Sequence, residues 1–269
     1  MKKWFAWRVA APLGAALVTA CGGATDTSSL VAPPQTSAQL GAFNARTVRV
    51  SGTEYAYQVF VPAAYTASRS WPVIVALHGS GEKGSDNQKQ LGVGLGPVVR
   101  AAAATFPAIV VFPQMPALEG GPPFDPVLLA ELDATMHEFA GDPARVYATG
   151  LSLGGIVEYS VVSANPSRFA AFVPIAADIC VVCVTGSASS PKDAVYTSVL
   201  TPMRNVPTWI FHGSADPNVP VDDARLIYQI LTQLHAPVKY TEYAGAGHEI
   251  WDQVYGSLDF LTWLLAQHK

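Results

Sequence analysis

The sequence contains few charged residues and few cysteines. Asp, Glu, Lys and Arg make up 13% of the 269 residues, and the formal net charge is −4. With no basic patch, this composition argues against a nucleic-acid-binding or intrinsically disordered protein. Two of the three cysteines, Cys180 and Cys183, have C-x-x-C spacing, but no second cysteine pair or nearby histidine pair accompanies them. A local disulfide or two free thiols therefore fits better than a metal or redox site.

The sequence also lacks an apolar run long enough to span a bilayer at its N-terminus. Residues 1–8 contain three basic side chains, and the apolar stretch Val9–Ala20 that follows is too short for a transmembrane helix. This pattern predicts a signal peptide. Val18–Cys21 resembles the lipobox of bacterial lipoproteins, with Cys21 as the lipidated residue. The alternative is ordinary secretion with cleavage after Ala20, and either interpretation predicts export to the periplasm, the outer membrane or the medium.

Three segments follow from composition and periodicity. Residues 1–21 form the signal peptide with its lipobox, residues 22–45 form a flexible linker rich in small residues and proline, and residues 46–269 form one catalytic domain. Composition and periodicity by themselves indicate only one folded domain over residues 46–269, and its interpretation as catalytic depends on the active-site motifs within it. Within this domain, Thr47–Val50 and Tyr55–Val61 predict an antiparallel hairpin.

Buried strands then alternate with helices along the rest of the domain. The predicted strands are 72–77, 108–112, 145–149, 170–175, 208–211 and 238–243. The predicted helices are about 98–104, 127–140, 154–164, 222–234 and 253–266. This alternation predicts an α/β protein with a mostly parallel, doubly wound sheet of about eight strands. The long connection 177–205 follows a strand end, so we expect it to line a substrate pocket.

The first indication of function is a serine at a predicted sharp turn. Gly150, Ser152 and Gly154 form the pattern G-x-S-x-G between a predicted strand and a predicted helix. The tight turn exposes the serine hydroxyl and presses the two glycines together, so that side chains there would clash. This context favours Ser152 as a nucleophile.

A serine nucleophile needs a histidine base and an acid that orients the base. His248 stands in a glycine-rich loop after the last predicted strand, where the base is expected. Asp216 follows the seventh strand and precedes His248, so it is the preferred acid. Asp178, after the sixth strand, remains the rival acid.

Backbone N–H groups are expected to form an oxyanion hole. One belongs to Leu153, directly after the nucleophile, and the other to Ser80 in the loop after the third strand. We expect Gly79 and Gly81 to allow a backbone geometry in this loop that a Cβ would penalise. His78 is expected to brace the loop, and Trp251 and Met115 are expected to shape the substrate pocket.

Four motifs in this order resemble one group of secreted serine esterases. The motifs are His78–Asp86, Gly150–Gly155, Phe211–Asp216 with Val219–Pro220, and Gly247–His248 with Trp251. The group belongs to the α/β-hydrolase superfamily, is often labelled as predicted peptidases, and neighbours feruloyl esterases, acetylxylan esterases and polyhydroxybutyrate depolymerases. The resemblance implies an α/β-hydrolase fold from about Val48 to the C-terminus, with a serine esterase activity.

The sequence departs from this family at three places. The family often has Arg at the position of Lys83 and Met at the position of Leu153. Because backbone N–H groups form the oxyanion hole, these two departures should matter little. The stretch Ala177–Cys180 replaces a glycine-rich turn of the family, which changes the shape of the nearby pocket.

The sequence therefore predicts a hydrolase of carboxylic esters that works through an acyl-enzyme. Small-molecule or polymeric esters are the expected substrates; no metal, organic cofactor or nucleic acid is implied, and contact with a membrane would come only through a lipid anchor. Two alternatives remain open, a serine peptidase with the same three residues and a non-catalytic binding module on a hydrolase scaffold.

Overall fold

A computed structural model describes residues 37–117 and 124–269. The predicted signal peptide and Cys21 lie outside these residues, as do most of the predicted linker and residues 118–123. The eight strands are β1 Ala42–Val50, β2 Thr53–Val61, β3 Trp71–Leu77, β4 Ile109–Pro113, β5 Gly141–Leu151, β6 Ala171–Ile175, β7 Thr208–Gly213 and β8 Val238–Tyr243. The eight α-helices of the described part are α1 Leu95–Ala101, α2 Asp125–Glu138, α3 Leu153–Ala164, α4 Val181–Thr185, α5 Lys192–Leu200, α6 Val221–Gln233, α7 Trp251–Tyr255 and α8 Leu258–Ala266.

All eight strands form one sheet in the order β1-β2-β4-β3-β5-β6-β7-β8. β1 pairs antiparallel with β2, and β2 pairs antiparallel with β4, whereas every pair from β4 to β8 is parallel. The predicted mostly parallel sheet with an antiparallel hairpin is thus confirmed. Apolar side chains pack on both faces, and all seven residues of β3 are buried. Continuous apolar strands such as β3 are the consequence of this burial on two faces.

The first strand begins earlier than the sequence indicates. β1 starts at Ala42, inside the segment 22–45 that composition assigns to a linker. Phe43 packs against Phe60 and Phe112 with ring centroids 5.6 Å apart in both pairs, and Asn44 is buried and donates to backbone carbonyls. The ring contacts of Phe43 come from β2 and β4, so the composition of residues 22–45 alone does not reveal them.

Two other elements differ from the predicted pattern. The predicted helix 253–266 is split into α7 and α8 at Gly256–Ser257, where the Ser257 hydroxyl accepts a hydrogen bond from the Asp259 N–H and caps α8. The connection 177–205 contains α4 and α5, and a disulfide joins Cys180 to Cys183 at the start of α4. Within residues 37–117 and 124–269, no helix is both long and apolar enough to cross a membrane.

Candidate active site

Ser152 occupies the turn between β5 and α3 in an uncommon backbone conformation. Its φ is 52° and its ψ is −120°, and its N–H donates a hydrogen bond of 2.9 Å to the Ile175 carbonyl of β6. Positive φ is costly for a residue with a Cβ, and such residues persist only where the surrounding structure enforces them. The turn places the Ser152 side chain above the carboxyl end of the sheet.

The glycines around Ser152 are required by close packing. A Cβ on Gly150 would lie 2.6 Å from the carbonyl carbon of Gly154, and a Cβ on Gly154 would overlap the Leu77 carbonyl oxygen. Contacts this short cannot be accommodated without moving backbone atoms. The G-x-S-x-G spacing therefore places a glycine at each position where β5, α3 and β3 approach too closely for a side chain.

His248 joins Ser152 to Asp216. Its Nε2 lies 2.9 Å from Ser152 Oγ, and its Nδ1 lies 2.7 Å from Asp216 Oδ2. With the ring proton on Nδ1, that nitrogen donates to the carboxylate and Nε2 accepts from the serine hydroxyl. The other carboxylate oxygen, Oδ1, accepts from the N–H groups of Asn218 and Val219 at 2.8 and 2.9 Å. Asp216 is thus held from both sides, and its side chain is fully buried.

A second histidine, His212, contacts the same carboxylate. Its Nε2 lies 3.0 Å from the Val219 carbonyl oxygen and 3.3 Å from Asp216 Oδ2. Its side chain is fully buried, and burial lowers its pKa. A neutral His212 with its proton on Nε2 can donate to both oxygens. The sequence motifs assign His212 no role, although its position on β7, four residues before Asp216, could have indicated one.

Asp178, the rival acid, lies in a different environment. Burial, together with the Asp223 carboxylate, raises the pKa of Asp178 to about 6, and Lys192 opposes this rise. Lys192 Nζ itself lies 2.5 Å from Asp223 Oδ1. The hydrogen bond of His248 Nδ1 goes to Asp216, so the structure brings Asp216 and not Asp178 to the histidine.

The two residues expected to donate to an oxyanion, Leu153 and Ser80, line the same cleft as Ser152. Leu153 is the first residue of α3, where backbone N–H groups have no acceptor within the helix. Ser80 begins a short 3-10 turn, Ser80–Glu82, and lines the same cleft as Ser152. Both positions are compatible with an oxyanion hole built from backbone N–H groups.

His78 fixes the loop that carries Ser80. Its Nδ1 donates to the Gly79 carbonyl oxygen at 2.6 Å, and its Nε2 accepts from the Met115 N–H at 2.9 Å. Burial lowers the pKa of His78 to about 4, so the ring is neutral at physiological pH. A neutral ring can donate with one nitrogen and accept with the other, as both contacts require.

The two glycines of this loop behave differently. A Cβ on Gly79 would lie 2.9 Å from Leu151 Cδ1, whereas a Cβ on Gly81 would meet no atom within 4 Å. Neither residue has a positive φ. The expectation that Gly81 needs the absence of a side chain is wrong, because its Cα faces open space. The close approach is at Gly79 alone.

A cleft of about 510 Å³ opens above Ser152. Its lining residues are Gly79, Ser80, Gly81, Glu82, Leu151, Ser152, Leu153, Ile156, Asn218, Val219, His248, Glu249 and Trp251. Trp251 lies in this lining, as expected, with its ring edge-to-face against His248 and the ring centroids 5.5 Å apart.

Two expectations about the pocket are wrong. Met115 is 3% exposed and packs into the main core, because β4 ends just before it and His78 holds its backbone. The connection 177–205 does not contribute to the cleft lining either. Its α5 packs against α3 and α6, so it covers a helix layer beside the site.

Comparison with known sequences places the second half of the chain in a family. Residues 127–269, just over half of the chain, match the sequence profile of the prolyl oligopeptidase family. The matched region contains Ser152, Asp216 and His248, whereas Ser80 precedes it. No curated protein matches the chain.

Solved structures similar to this chain include esterases and a peptidase. A thermostable esterase has a TM-score of 0.68 and 26% identity, with 84% of this chain and 63% of the esterase covered; the chain therefore spans less than two thirds of that protein. A mutant feruloyl esterase module from Clostridium thermocellum, in complex with sinapinate, has a TM-score of 0.64 and 14% identity, with 81% and 87% covered. An acylaminoacyl peptidase from Pyrococcus horikoshii has a TM-score of 0.59 and 16% identity, with 77% and 38% covered. The predicted α/β-hydrolase fold is confirmed.

Proposed function

Because the chain belongs to the prolyl oligopeptidase family of hydrolases, we propose that it hydrolyses carboxylic esters through an acyl-enzyme on Ser152. The observation that carries this proposal is the continuous contact from Ser152 Oγ through the His248 ring to Asp216. Nucleophile, base and orienting acid lie within hydrogen-bond distance in the order that acyl transfer requires. The likeness to a thermostable esterase at 26% identity favours esters as substrates.

In the proposed mechanism, Ser152 Oγ attacks the ester carbonyl carbon while His248 Nε2 takes the hydroxyl proton. The imidazolium that forms is stabilised by Asp216, which remains ionised. The oxygen of the tetrahedral intermediate accepts hydrogen bonds from the N–H groups of Leu153 and Ser80. His248 then gives its proton to the departing alcohol, and the acyl group stays on Ser152. Water releases the acid by the same steps, with His248 again acting as base.

The same three residues could cleave an amide, and the family name and the acylaminoacyl peptidase keep a peptidase as the second candidate. A comparison of the turnover of p-nitrophenyl acetate with the turnover of a panel of peptide p-nitroanilides distinguishes the two candidates. Hydrolysis of the ester with no release from the anilides supports the proposal. Faster cleavage of an anilide would make the protein a peptidase, and no turnover of either would favour a binding module. Short acyl esters, feruloyl esters, acetylated xylan and polyhydroxybutyrate would then identify the natural ester.

We also propose that the enzyme is exported and anchored through a lipid on Cys21. The support is the match of Val18–Cys21 to a lipobox directly after a short apolar run. Such an anchor would hold the domain near a membrane without embedding it.

A further inference from the structure

A carboxyl group that the proposed mechanism does not use lies behind Ser152. Glu158, in the second turn of α3, is fully buried. Neither of its carboxyl oxygens has a hydrogen-bond partner among the described residues. Burial raises the pKa of Glu158 well above its usual value, and the Thr149 backbone opposes part of this rise, so the buried position favours the neutral carboxyl. A buried polar group without a partner calls for a physical explanation.

The position of this carboxyl is specific. A Cβ on Gly150 would lie 2.5 Å from Glu158 Oε2, so the carboxyl packs directly against the Gly150 backbone. The same Cβ would lie 2.7 Å from the Gly155 nitrogen. Glu158 therefore closes the turn from the core side, opposite the cleft into which Ser152 opens. The positive φ of Ser152 is possible only because its neighbours hold this turn in place.

A buried hydrogen-bonded pair beside Glu158 joins the two halves of the site. The Thr149 hydroxyl donates to the Val173 carbonyl at 2.9 Å and therefore accepts from the Tyr255 hydroxyl at 3.0 Å. Thr149 lies on β5, three residues before Ser152. Tyr255 is the last residue of α7, the helix that follows His248. Tyr255 is a titratable group near Glu158. Burial raises the pKa of Tyr255 far above the usual range, and a charge on Glu158 raises it further. Among the residues that the structure describes, no charged side chain contributes to the pKa of Glu158.

We propose that Glu158 is a positioning residue whose neutral carboxyl holds the Gly150–Ser152 turn, and that ionisation of this carboxyl disengages the nucleophile. A buried charge without a partner is costly, and this carboxyl packs closely against the Gly150 backbone. Ionisation would therefore move the carboxyl away from the turn or admit water beneath it. The proposal rests on the proposed esterase function, because it concerns the activity of Ser152.

The pH dependence of kcat and KM for p-nitrophenyl acetate tests this proposal in four proteins. Wild type is compared with Glu158→Gln, which is neutral at every pH and has nearly the same shape, and with Glu158→Ala, which removes the packing. Glu131→Gln is the matched control, because Glu131 is equally buried on α2 and its carboxyl oxygens also have no partner among the described residues. Circular dichroism at each pH verifies that the protein is folded.

We expect kcat of the wild type to fall on the alkaline side by about tenfold per pH unit above the pKa of Glu158, with KM nearly constant. Glu158→Gln should keep the neutral-pH kcat and lose this alkaline decrease, whereas Glu131→Gln should retain it. Glu158→Ala should lower kcat by about tenfold or more at every pH without a matching change in KM.

Identical alkaline profiles for wild type and Glu158→Gln would overturn the proposal while leaving the esterase function intact. The proposal also fails if Glu131→Gln loses the alkaline decrease as Glu158→Gln does, because the effect would then be global. If the wild type hydrolyses no ester, the rate at which a fluorophosphonate labels Ser152 replaces kcat in the same comparison. In that case the proposed function fails. The positioning role is still supported if the labelling rate falls at alkaline pH in the wild type but not in Glu158→Gln.

Discussion

Asp216 Oδ2 lies 2.7 Å from His248 Nδ1, although the two residues are 32 positions apart in the sequence. Asp216 follows β7 and His248 follows β8, and these two strands are parallel neighbours in the sheet. Their carboxyl ends therefore lie at the same edge, and the loops that follow them meet there. The two backbone N–H groups that bind Asp216 Oδ1 keep the carboxylate aimed at the ring.

Asp216→Asn should lower kcat by about four orders of magnitude, because the amide favours the wrong tautomer of His248. Initial rates with p-nitrophenyl acetate measure this change. Asp178→Asn is the control and should change kcat by less than about tenfold, since His248 does not bind that side chain. A larger loss in Asp178→Asn than in Asp216→Asn would contradict the assignment of the acid.

Ser152→Ala should lower ester turnover by about a millionfold, because no other group can form the acyl-enzyme. The variant should unfold at the wild-type urea midpoint, since the hydroxyl is exposed to the cleft. Mass spectrometry of the wild type after treatment with a fluorophosphonate should locate the adduct on Ser152. An adduct on any other residue would show that the nucleophile is elsewhere.

Gly79→Val should reduce kcat by about a hundredfold, comparable with the loss of one oxyanion donor, because a Cβ there would press on Leu151. Gly81→Ala should leave kcat within about twofold of wild type, because the space around Gly81 is open. Steady-state kinetics of the two variants measures kcat for each and so compares the two glycines of this loop. Equal losses in both variants would mean that the loop needs glycine for flexibility rather than for close packing.

The free energy of unfolding should fall as the pH rises above 7. Burial raises the pKa of Glu131 and of Glu158 well above the unfolded value of 4.5. Between the unfolded and the folded pKa of each carboxyl, unfolding releases a proton, so stability decreases by about 1.4 kcal/mol per pH unit for each carboxyl. His78 and His212 act in the opposite direction, but only below about pH 6.5, where the unfolded rings become protonated.

Urea denaturation at pH 7, 8 and 9 measures this slope. Glu131→Gln and Glu158→Gln should each reduce it by the contribution of one carboxyl, and the double variant should show the shallowest dependence. A wild-type stability that rises between pH 7 and 9 would mean that these carboxyls are ionised in the folded protein.

Cys21→Ser should abolish membrane anchoring in the native host if the lipobox is used. Detergent phase partitioning of wild type and variant, followed by immunoblotting, measures the difference. The wild type should enter the detergent phase and the variant the aqueous phase. If both proteins stay in the aqueous phase, the chain is not a lipoprotein.

The sequence predicted those parts of the structure whose geometry follows from a local pattern of residues. Apolar runs separated by helical periods predicted the sheet, and motifs at strand ends predicted which loops would bring Ser152, Asp216 and His248 together. The burial of Met115 and the extra length of β1 could not be predicted, because both depend on contacts with distant strands. Glu158 is the clearest case, since nothing in the pattern of an amphipathic helix indicates a carboxyl that faces a glycine.

The edge-to-face contact between His248 and Trp251 gives the site an optical reporter. A protonated imidazole quenches indole fluorescence by accepting an electron from the excited ring, and a neutral imidazole quenches much less. With ring centroids 5.5 Å apart, the emission of Trp251 should therefore follow the charge of His248. Subtracting the spectrum of Trp251→Phe removes the signal of the other tryptophans. The charge of the proposed base can thus be titrated in the resting protein, before any substrate is known.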